Sequence, residues 1–192
     1  FSEFTDDTIM PSVIIRNSYN KWTPVTIGAA ANVLVCLNGM MADSGFFYSR
    51  KHTENASDDI TAFSMGTADL LMKQVETFEK QIAELKGIEI SQERGYEILG
   101  NLYGHKVLNA TANNVAFTDW ITPSHDVFGE KNMWSLYNCA NEGLKKKDNY
   151  SRTQAHCQLH HYMTKGFDAP YKNEFKKVPE GFSATGYKLY EA

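Results

Sequence analysis

The sequence predicts an α+β fold, with N-terminal antiparallel strands (about residues 9–50) packed against four or five helices (about 58–165) and an extended C-terminal tail. Residues 9–48 are rich in β-branched and aromatic side chains and are interrupted by Pro, Gly and Asn-Gly, which is typical of strands and turns. Residues 58–165 instead carry apolar side chains at three- and four-residue steps, which is typical of helices. The 192 residues are 42% hydrophobic and 12% aromatic, enough for a buried core without disulfides or metals.

The N-terminal segment alternates between β-forming runs and turn residues. Pro24 indicates an edge strand, because proline cannot donate to a sheet ladder, and Asn38-Gly39 is a strong turn signal. The predicted elements are a strand at 12–16, a polar turn at 17–21, a strand at 22–27, an apolar segment at 28–37 that fits a strand or a short helix, a turn at 38–39 and a returning strand at 46–48.

The helical segment is punctuated by capping residues and glycines. Ser57 and two acids are suited to the start of the first helix, while Gly66 inside its pattern indicates a kink or break. Ser91 caps the second helix and Gly104 ends it. The predicted helices cover 58–86, 91–103, part of 105–121, about 129–147, and 151–165.

We expect one domain over residues 1–166, followed by an aromatic and basic tail over 167–192. No apolar run approaches the ~18–20 residues of a membrane span. Three cysteines without a C-x-x-C pair favour a reducing compartment. The sequence begins at Phe1 without a signal-like segment, and we interpret it as a fragment or a processed product.

Charge is unevenly distributed along the chain. The net charge of -4 does not favour a general affinity for polyanions. Residues 1–130 carry 9 basic and 17 acidic side chains, whereas residues 131–192 carry 10 basic and 6 acidic ones. The C-terminal third is therefore predicted to present a basic face, although such variation is also common on ordinary protein surfaces.

Two segments combine cations with aromatic rings, the mixture with which proteins bind single-stranded nucleic acids. They are FFYSRKH at 46–52 and KKKDNYSR at 145–152. The alternative is that the rings belong to the core and the charges are simply solvated. The candidate nucleic-acid-binding residues are Tyr48, Arg50, Lys51, His52, Lys145, Lys146, Lys147, Tyr150 and Arg152.

Signals for enzymatic or metal chemistry are weak. His156 and His160 lie four residues apart, a spacing that can hold a metal on one helix face, but no H-E-x-x-H motif is present. The sequence also lacks a nucleophile elbow and both common glycine-rich phosphate loops. We therefore expect no catalytic residue, no metal and no cofactor, with His156 and His160 as the one weak metal candidate.

Two segments resemble the signature of a protein family carried by phages and plasmids, the domain of unknown function 932. Residues 14–42 (IIRNSYNKWTPVTIGAAANVLVCLNGMMA) and 133–148 (MWSLYNCANEGLKKKD) carry the resemblance, which covers roughly residues 9–165. Arg50-Lys51-His52 matches the family's basic-His element. The further matching positions are Asn17, Ser18, Gly28, Val35, Cys36, Asn38, Gly39, Trp134, Tyr137, Asn138, Glu142 and Leu144. Because members usually have more chain before the Asn-Ser pair, this chain resembles an N-terminally shortened member.

The resemblance implies a phage or plasmid protein acting in the host cytoplasm, often encoded among DNA-metabolism genes. Our first hypothesis is a non-enzymatic accessory protein that binds single-stranded DNA in recombination or annealing, with homo-oligomers possible. The second is a protein-interaction module that inhibits or redirects a host factor, using the helix at 58–86 and the tail. The third is an enzyme whose Asn/His/Cys pocket forms where 17–18, 36–39 and 134–142 converge.

Overall fold

The computed structural model describes residues 9–17, 24–33, 38–41, 47–54, 56–66, 68–147, 149–172 and 176–177. A short 3-10 turn, Asp126–Phe128, precedes the fifth helix. The strands and helices are β1 (Ile9–Arg16), β2 (Val25–Val33), β3 (Asn38–Met41), β4 (Phe47–Arg50), α1 (Ala56–Gly66), α2 (Ala68–Lys86), α3 (Gln92–Gly104), α4 (Ala110–Ile121), α5 (Met133–Leu144), α6 (Asn149–Lys165) and β5 (Lys176–Lys177).

The sheet is organised around β2, which is paired along both edges. β1 runs antiparallel to it, from Ile9 opposite Val33 to Arg16 opposite Thr26. Two short strands share the other edge, with β3 paired to the end of β2 and β4 to its start. β5 pairs parallel with β4. The α+β class and the antiparallel N-terminal strands are therefore confirmed.

Two turn-residue predictions in this sheet are wrong. Pro24 does not mark an edge strand, because it lies just before the central strand β2 and removes no hydrogen bond from the ladder. Asn38 and Gly39 do not form a turn, because they begin β3 opposite Val33 and Asn32. The segment at 28–37 is a strand as far as Val33, and the rest of that segment lies outside the described residues.

Side-chain caps define the helix starts. Ser91 Oγ accepts a hydrogen bond from the Arg94 amide at 3.1 Å, which confirms the predicted cap of α3. Asn132 Oδ1 accepts one from the Ser135 amide at 2.9 Å. The fourth predicted helix therefore begins at Met133 rather than Gly129, because the cap is supplied three residues further along the chain.

The predicted helix at 58–86 is two helices. α1 ends at Gly66 and α2 begins at Ala68, so the break expected at that glycine is confirmed. Among the described helices, none combines the length and apolarity that crossing a membrane requires.

The main core lies among α2 to α6, and two glycines allow its helices to approach closely. A Cβ on Gly95 would lie 2.3 Å from the Trp120 indole nitrogen, and one on Gly143 would lie 2.3 Å from the Ala112 carbonyl oxygen. The largest fully buried side chains are Trp120, Tyr137, Phe78, Phe128, Ile27, Leu99, Leu102, Leu108, Leu136 and Leu144.

A smaller core connects α1 to the sheet. Val25 and Ile27 of β2 pack with Ile60 and Phe63 of α1, and Tyr48 of β4 packs against this cluster. Alternate residues of β4 therefore face α1, which determines how the first basic segment is presented.

Candidate nucleic-acid interface

Arg50 is an internal residue of this fold. Its Nε and Nη2 atoms both lie 2.9 Å from Oδ2 of Asp59 on α1, and the two side chains are 7% and 4% exposed. A buried cation with a partnered carboxylate holds strand and helix together and does not reach a phosphate in solvent. We therefore remove Arg50 from the predicted set of phosphate ligands.

The rest of the first basic segment divides between core and surface. The Tyr48 ring is half-buried and lies against Phe63, with ring centroids 4.5 Å apart. Beyond the end of β4, Lys51 is exposed and His52 is half-buried. Lys51 and His52 therefore remain as surface groups, while Tyr48 contributes mainly to the smaller core.

The second basic segment forms the connection between α5 and α6. Arg152 Nη2 donates to the carbonyl oxygens of Lys145 and Lys147 at 3.1 and 2.7 Å. Lys147 Nζ donates to Val107 O at 2.8 Å. These bonds satisfy backbone carbonyls in the connection that follows α5 and, at Val107, in the connection between α3 and α4.

Lys145 forms a partly exposed ion pair, because its Nζ lies 2.5 Å from Glu142 Oε2 and its side chain is 36% exposed. Lys146 is exposed, whereas the Tyr150 side chain lies outside the described atoms. The lysine run therefore presents Lys146 and part of Lys145 to solvent, whereas Lys147 and Arg152 bond to backbone carbonyls of the fold.

A different basic segment lies next to the first one. β5 consists of Lys176 and Lys177, and it pairs parallel with β4 so that Lys176 lies opposite Tyr48 and Lys177 opposite Ser49. Adjacent strands are about 4.8 Å apart. We call Lys51, His52, Lys176 and Lys177 the basic edge.

The sequence does not predict this pairing. Its pattern indicates an extended tail after α6, without the two-residue strand. The sequence signal is small: Phe175 and Val178 flank the two lysines, a pattern compatible with a strand but too short to specify one. The partner strand is more than a hundred residues away, so no local pattern could identify it.

The family-motif residues of α5 lie in the core. Trp134 and Tyr137 are 2% and 0% exposed, and their rings stack with centroids 5.7 Å apart. Asn138 Nδ2 donates to the Trp134 carbonyl at 2.9 Å, the backbone contact expected for an asparagine in a helix. Glu142 is half-buried and paired with Lys145.

His156 and His160 are buried on α6. The His160 ring lies edge-on to Phe78, with centroids 5.7 Å apart. Burial, and then the charges of Arg152 and Lys147, lower the pKa of His156 to about 4. Within the described ranges, no three His, Cys, Asp or Glu side chains are grouped so that they could hold a metal ion.

Several buried polar atoms in this hairpin of α5 and α6 have no hydrogen-bond partner among the described residues: Trp134 Nε1, Tyr137 Oη, Asn141 Oδ1 and His156 Nδ1. Burial raises the pKa of the Tyr137 phenol well above its usual value; Cys157 raises it further and the neighbouring Asn141 lowers it. The phenol therefore stays protonated and remains a donor.

The N-terminal motif is distributed over several environments. Asn17 is exposed just after β1, and Gly28 is buried in β2. Asn38 and Gly39 lie in β3, which packs against α5 and α6. Ser18 and Cys36 lie outside the described residues. The predicted Asn/His/Cys pocket is therefore assembled only in part, since the structure brings 38–41 to α5 and α6 but leaves Asn17 in solvent.

An open groove of about 630 Å³ lies elsewhere, where the segment before α3 meets the segment before α5. Its four charged side chains are two lysines and two glutamates, so they balance one another. The lining residues are Lys86, Glu89, Ile90, Ser91, Glu130, Lys131 and Asn132. None of them belongs to the predicted site.

Comparison with known proteins gives one match. The model of a family described as domain of unknown function (DUF932) matches residues 3–165, which is most of the chain. No curated protein and no solved structure matches it.

Proposed function

The chain belongs to the DUF932 family, and we propose that it binds single-stranded nucleic acid along the basic edge. The observation that carries the proposal is the parallel pairing of Lys176–Lys177 with β4, immediately before Lys51 and His52. This pairing brings the backbone of a two-lysine strand next to the residues that precede Lys51, and attraction between such cations and phosphates dominates nucleic-acid affinity.

The net negative charge of the whole chain limits the proposed binding to a small part of the surface. A net charge of -4 opposes non-specific attraction, so a basic strip of a few residues determines where a polyanion can approach. The half-buried His52 ring of the basic edge supports a single-stranded ligand, because unpaired bases stack on aromatic side chains, histidine included. A duplex keeps its bases paired and would gain only the phosphate contacts.

The biological setting of the proposal comes from the resemblance described above. We propose a non-enzymatic accessory role for a phage or plasmid, in recombination or annealing of DNA in the host cytoplasm. An annealing protein must hold strands by their backbones and leave base edges accessible, and a shallow sheet edge meets this requirement better than an enclosed pocket.

The protein-interaction alternative receives less support from the fold. Its two sequence features were the helix at 58–86 and the tail. The helix is divided into α1 and α2, whose Phe63 and Phe78 are buried, and part of the tail forms β5. Surfaces that stabilise the fold are not available to a partner without rearrangement.

Fluorescence anisotropy with a labelled single-stranded oligonucleotide tests the proposal across a salt series. The triple variant Lys51→Ala/Lys176→Ala/Lys177→Ala should weaken binding and reduce the slope of log affinity against log salt by about two units, because each phosphate contact on a single strand contributes about 0.7. The matched control is Lys146→Ala, which removes an exposed lysine of the α5–α6 connection and should leave the slope unchanged.

A duplex of the same sequence provides the second arm and should bind more weakly than the single strand. Absence of binding at low salt, or an equal effect of Lys146→Ala and the triple variant, would reject the basic edge as the interface. Equal affinity for duplex and single strand would reject the single-strand preference.

A further inference from the structure

Two buried polar atoms near the start of α6, Arg152 Nε and His156 Nδ1, have no hydrogen-bond partner among the described residues. The two residues are four positions apart in one helix, so their side chains are neighbours on the same face, with Cβ atoms about 5–6 Å apart. His156 is only 6% exposed. Because buried polar groups in folded proteins are nearly always bonded to protein, to water or to an ion, these two atoms indicate a binding position on α6.

Both atoms can act as hydrogen-bond donors. The Nε–H group of an arginine can only donate, and a neutral imidazole can carry its hydrogen on Nδ1. The Arg152 guanidinium is also held in place, because its Nη2 donates to the carbonyl oxygens of Lys145 and Lys147. Two adjacent donors, one of them on a fixed guanidinium, are suited to a ligand that carries acceptor atoms.

The charge around this pair of donors is positive. Burial, and then the charges of Arg152 and Lys147, lower the pKa of His156 to about 4, so the ring is neutral at neutral pH. Both described charges that act on the ring are therefore cationic. The surrounding segment, residues 142–152, carries four basic and two acidic side chains. This balance disfavours a cationic ligand and favours an anionic one.

We propose that Arg152 and His156 bind a small oxyanion of the phosphate or sulfate class at the α5–α6 connection. An oxyanion has several acceptor oxygens around one centre, so one oxygen can accept from Arg152 Nε–H and another from His156 Nδ1–H. Hydrogen bonds between an arginine and an anion are charge-assisted and are stronger than neutral ones. The site belongs to different elements from the basic edge, and the inference does not depend on nucleic-acid binding there.

The degree of burial determines the size of the anion. Arg152 and Lys147 are half-buried, so the site lies near the surface of the connection. The Nε and Nδ1 atoms themselves are buried, which suits a compact free ion better than the continuous backbone of a nucleic acid. The sequence predicted Arg152 as a contact to such a backbone, whereas its geometry favours inorganic phosphate.

Titration of the isotope-labelled full chain with inorganic phosphate tests the proposal, because arginine Nε–H groups give separate signals in nitrogen-edited NMR spectra. Sodium chloride at the same ionic strength and neutral pH is the control. The Arg152 Nε–H signal, identified by its loss in Arg152→Lys, should shift and reach saturation with phosphate. The Nε–H signal of Arg94, whose exposed side chain pairs with Glu97, should not.

Two variants at position 156 separate the donor from the bulk of the ring. His156→Phe retains a ring but removes Nδ1, and it should weaken phosphate affinity roughly fivefold, the effect of one hydrogen bond. His156→Asn places an amide donor near the position of Nδ1 and should recover most of the affinity. Lys146→Ala removes an exposed cation of the same connection and should leave the affinity unchanged.

Should His156→Phe fail to fold, the wild-type titration and Arg152→Lys still decide the outcome. Arg152→Lys retains the positive charge but lacks the Nε–H group, and the backbone amide signal of His156 reports phosphate binding in this variant. The affinity should fall by at least as much as in His156→Phe, because a lysine cannot reproduce the fixed geometry of the guanidinium. Unchanged affinity in Arg152→Lys would reject the assigned donor.

The remaining outcomes are distinguishable. Absence of a saturable shift at Arg152, or an equal shift with chloride, overturns the proposal, and so does unchanged affinity in a folded His156→Phe. A shift caused by a short thymidine oligonucleotide but not by inorganic phosphate would also overturn it and would assign Arg152 to the nucleic-acid interface. Lys51→Ala should weaken oligonucleotide binding without altering the phosphate titration, so this proposal and the proposed function can fail separately.

Discussion

Replacing Asp59 by Asn tests whether Arg50 belongs to the fold or to the interface. The substitution preserves shape but removes the carboxylate charge that faces the Arg50 guanidinium, whose side chain is 7% exposed. Removing one member of a buried pair costs about 3–5 kcal/mol, because the remaining charge stays desolvated. We expect the free energy of unfolding to fall by about that amount, which is a large part of the stability of a domain of this size.

The chain contains a matched control for this experiment. Arg94 and Glu97 form a salt bridge at 2.6 Å with both side chains 61% exposed. Exposed pairs of this kind contribute about 0–1 kcal/mol, so Glu97→Gln should hardly change the unfolding curve. The same cation and the same type of substitution are thus compared in two environments, with burial as the main variable.

Urea denaturation followed by circular dichroism measures both variants. The double variant Arg50→Met/Asp59→Asn should recover most of the stability lost in Asp59→Asn, since no uncompensated charge remains in the core. A loss below about 1 kcal/mol for Asp59→Asn would contradict this reasoning. It would show that Arg50 reaches solvent when Asp59 is neutral, and Arg50 would return to the set of possible phosphate ligands.

Three further predictions concern the helical core. Gly143→Ala should lower the free energy of unfolding in urea by about 1–3 kcal/mol, because the new Cβ would lie 2.3 Å from the Ala112 carbonyl oxygen. Gly100→Ala, whose Cβ would meet nothing within 4 Å, should raise it by about 0.5–1 kcal/mol. An increase in both variants would contradict the close approach of α4 and α5. The pKa of His156 falls from 6.5 to about 4 on folding. The unfolded chain therefore takes up a proton at a higher pH than the folded chain, and the free energy of unfolding decreases by on the order of 3 kcal/mol as the pH falls between these two pKa values. The melting temperature of His156→Asn should depend less on pH than that of the wild-type chain, and an unchanged dependence would assign the effect to other groups. Tyr137→Phe removes a buried hydroxyl for which the geometry gives no hydrogen-bond partner, so the melting temperature should stay unchanged or rise. A clear decrease would show that the hydroxyl is bonded to the neighbouring Asn141, to water or to a ligand.

The order and type of the main elements were predictable from sequence because they depend on local physics. Ser91 caps α3 by accepting a hydrogen bond from the amide of Arg94, three residues along the chain. Gly66 ends α1 because glycine is unfavourable in a helix interior. The turn predicted at Asn38-Gly39 is wrong because these two residues already pair with Val33 and Asn32 of the preceding strand. Strand pairing outweighed an intrinsic turn preference at that point.

The candidate site was less predictable for the same reason. Arg50 and Lys51 are adjacent cations in the sequence, and only the position of Asp59 on α1 distinguishes the buried one from the exposed one. Lys145 and Lys147 similarly read as a basic run, although Glu142 and the Val107 carbonyl hold their ammonium groups. Local composition identified cations correctly but could not assign their partners.

The parallel pairing of β4 with β5 has a kinetic consequence. Ser49 and Lys177 are neighbours in the sheet, yet almost the entire helical domain separates them along the chain, and contacts between such distant positions form slowly. The β1–β2 pairing and the helices can form as synthesis proceeds, whereas β5 can pair with β4 only after the six helices between them have been synthesised. We therefore expect a ribosome-bound chain that ends at α6 to carry a folded helical core and a sheet without β5, so that the last pairing of the sheet is added as the final step of maturation.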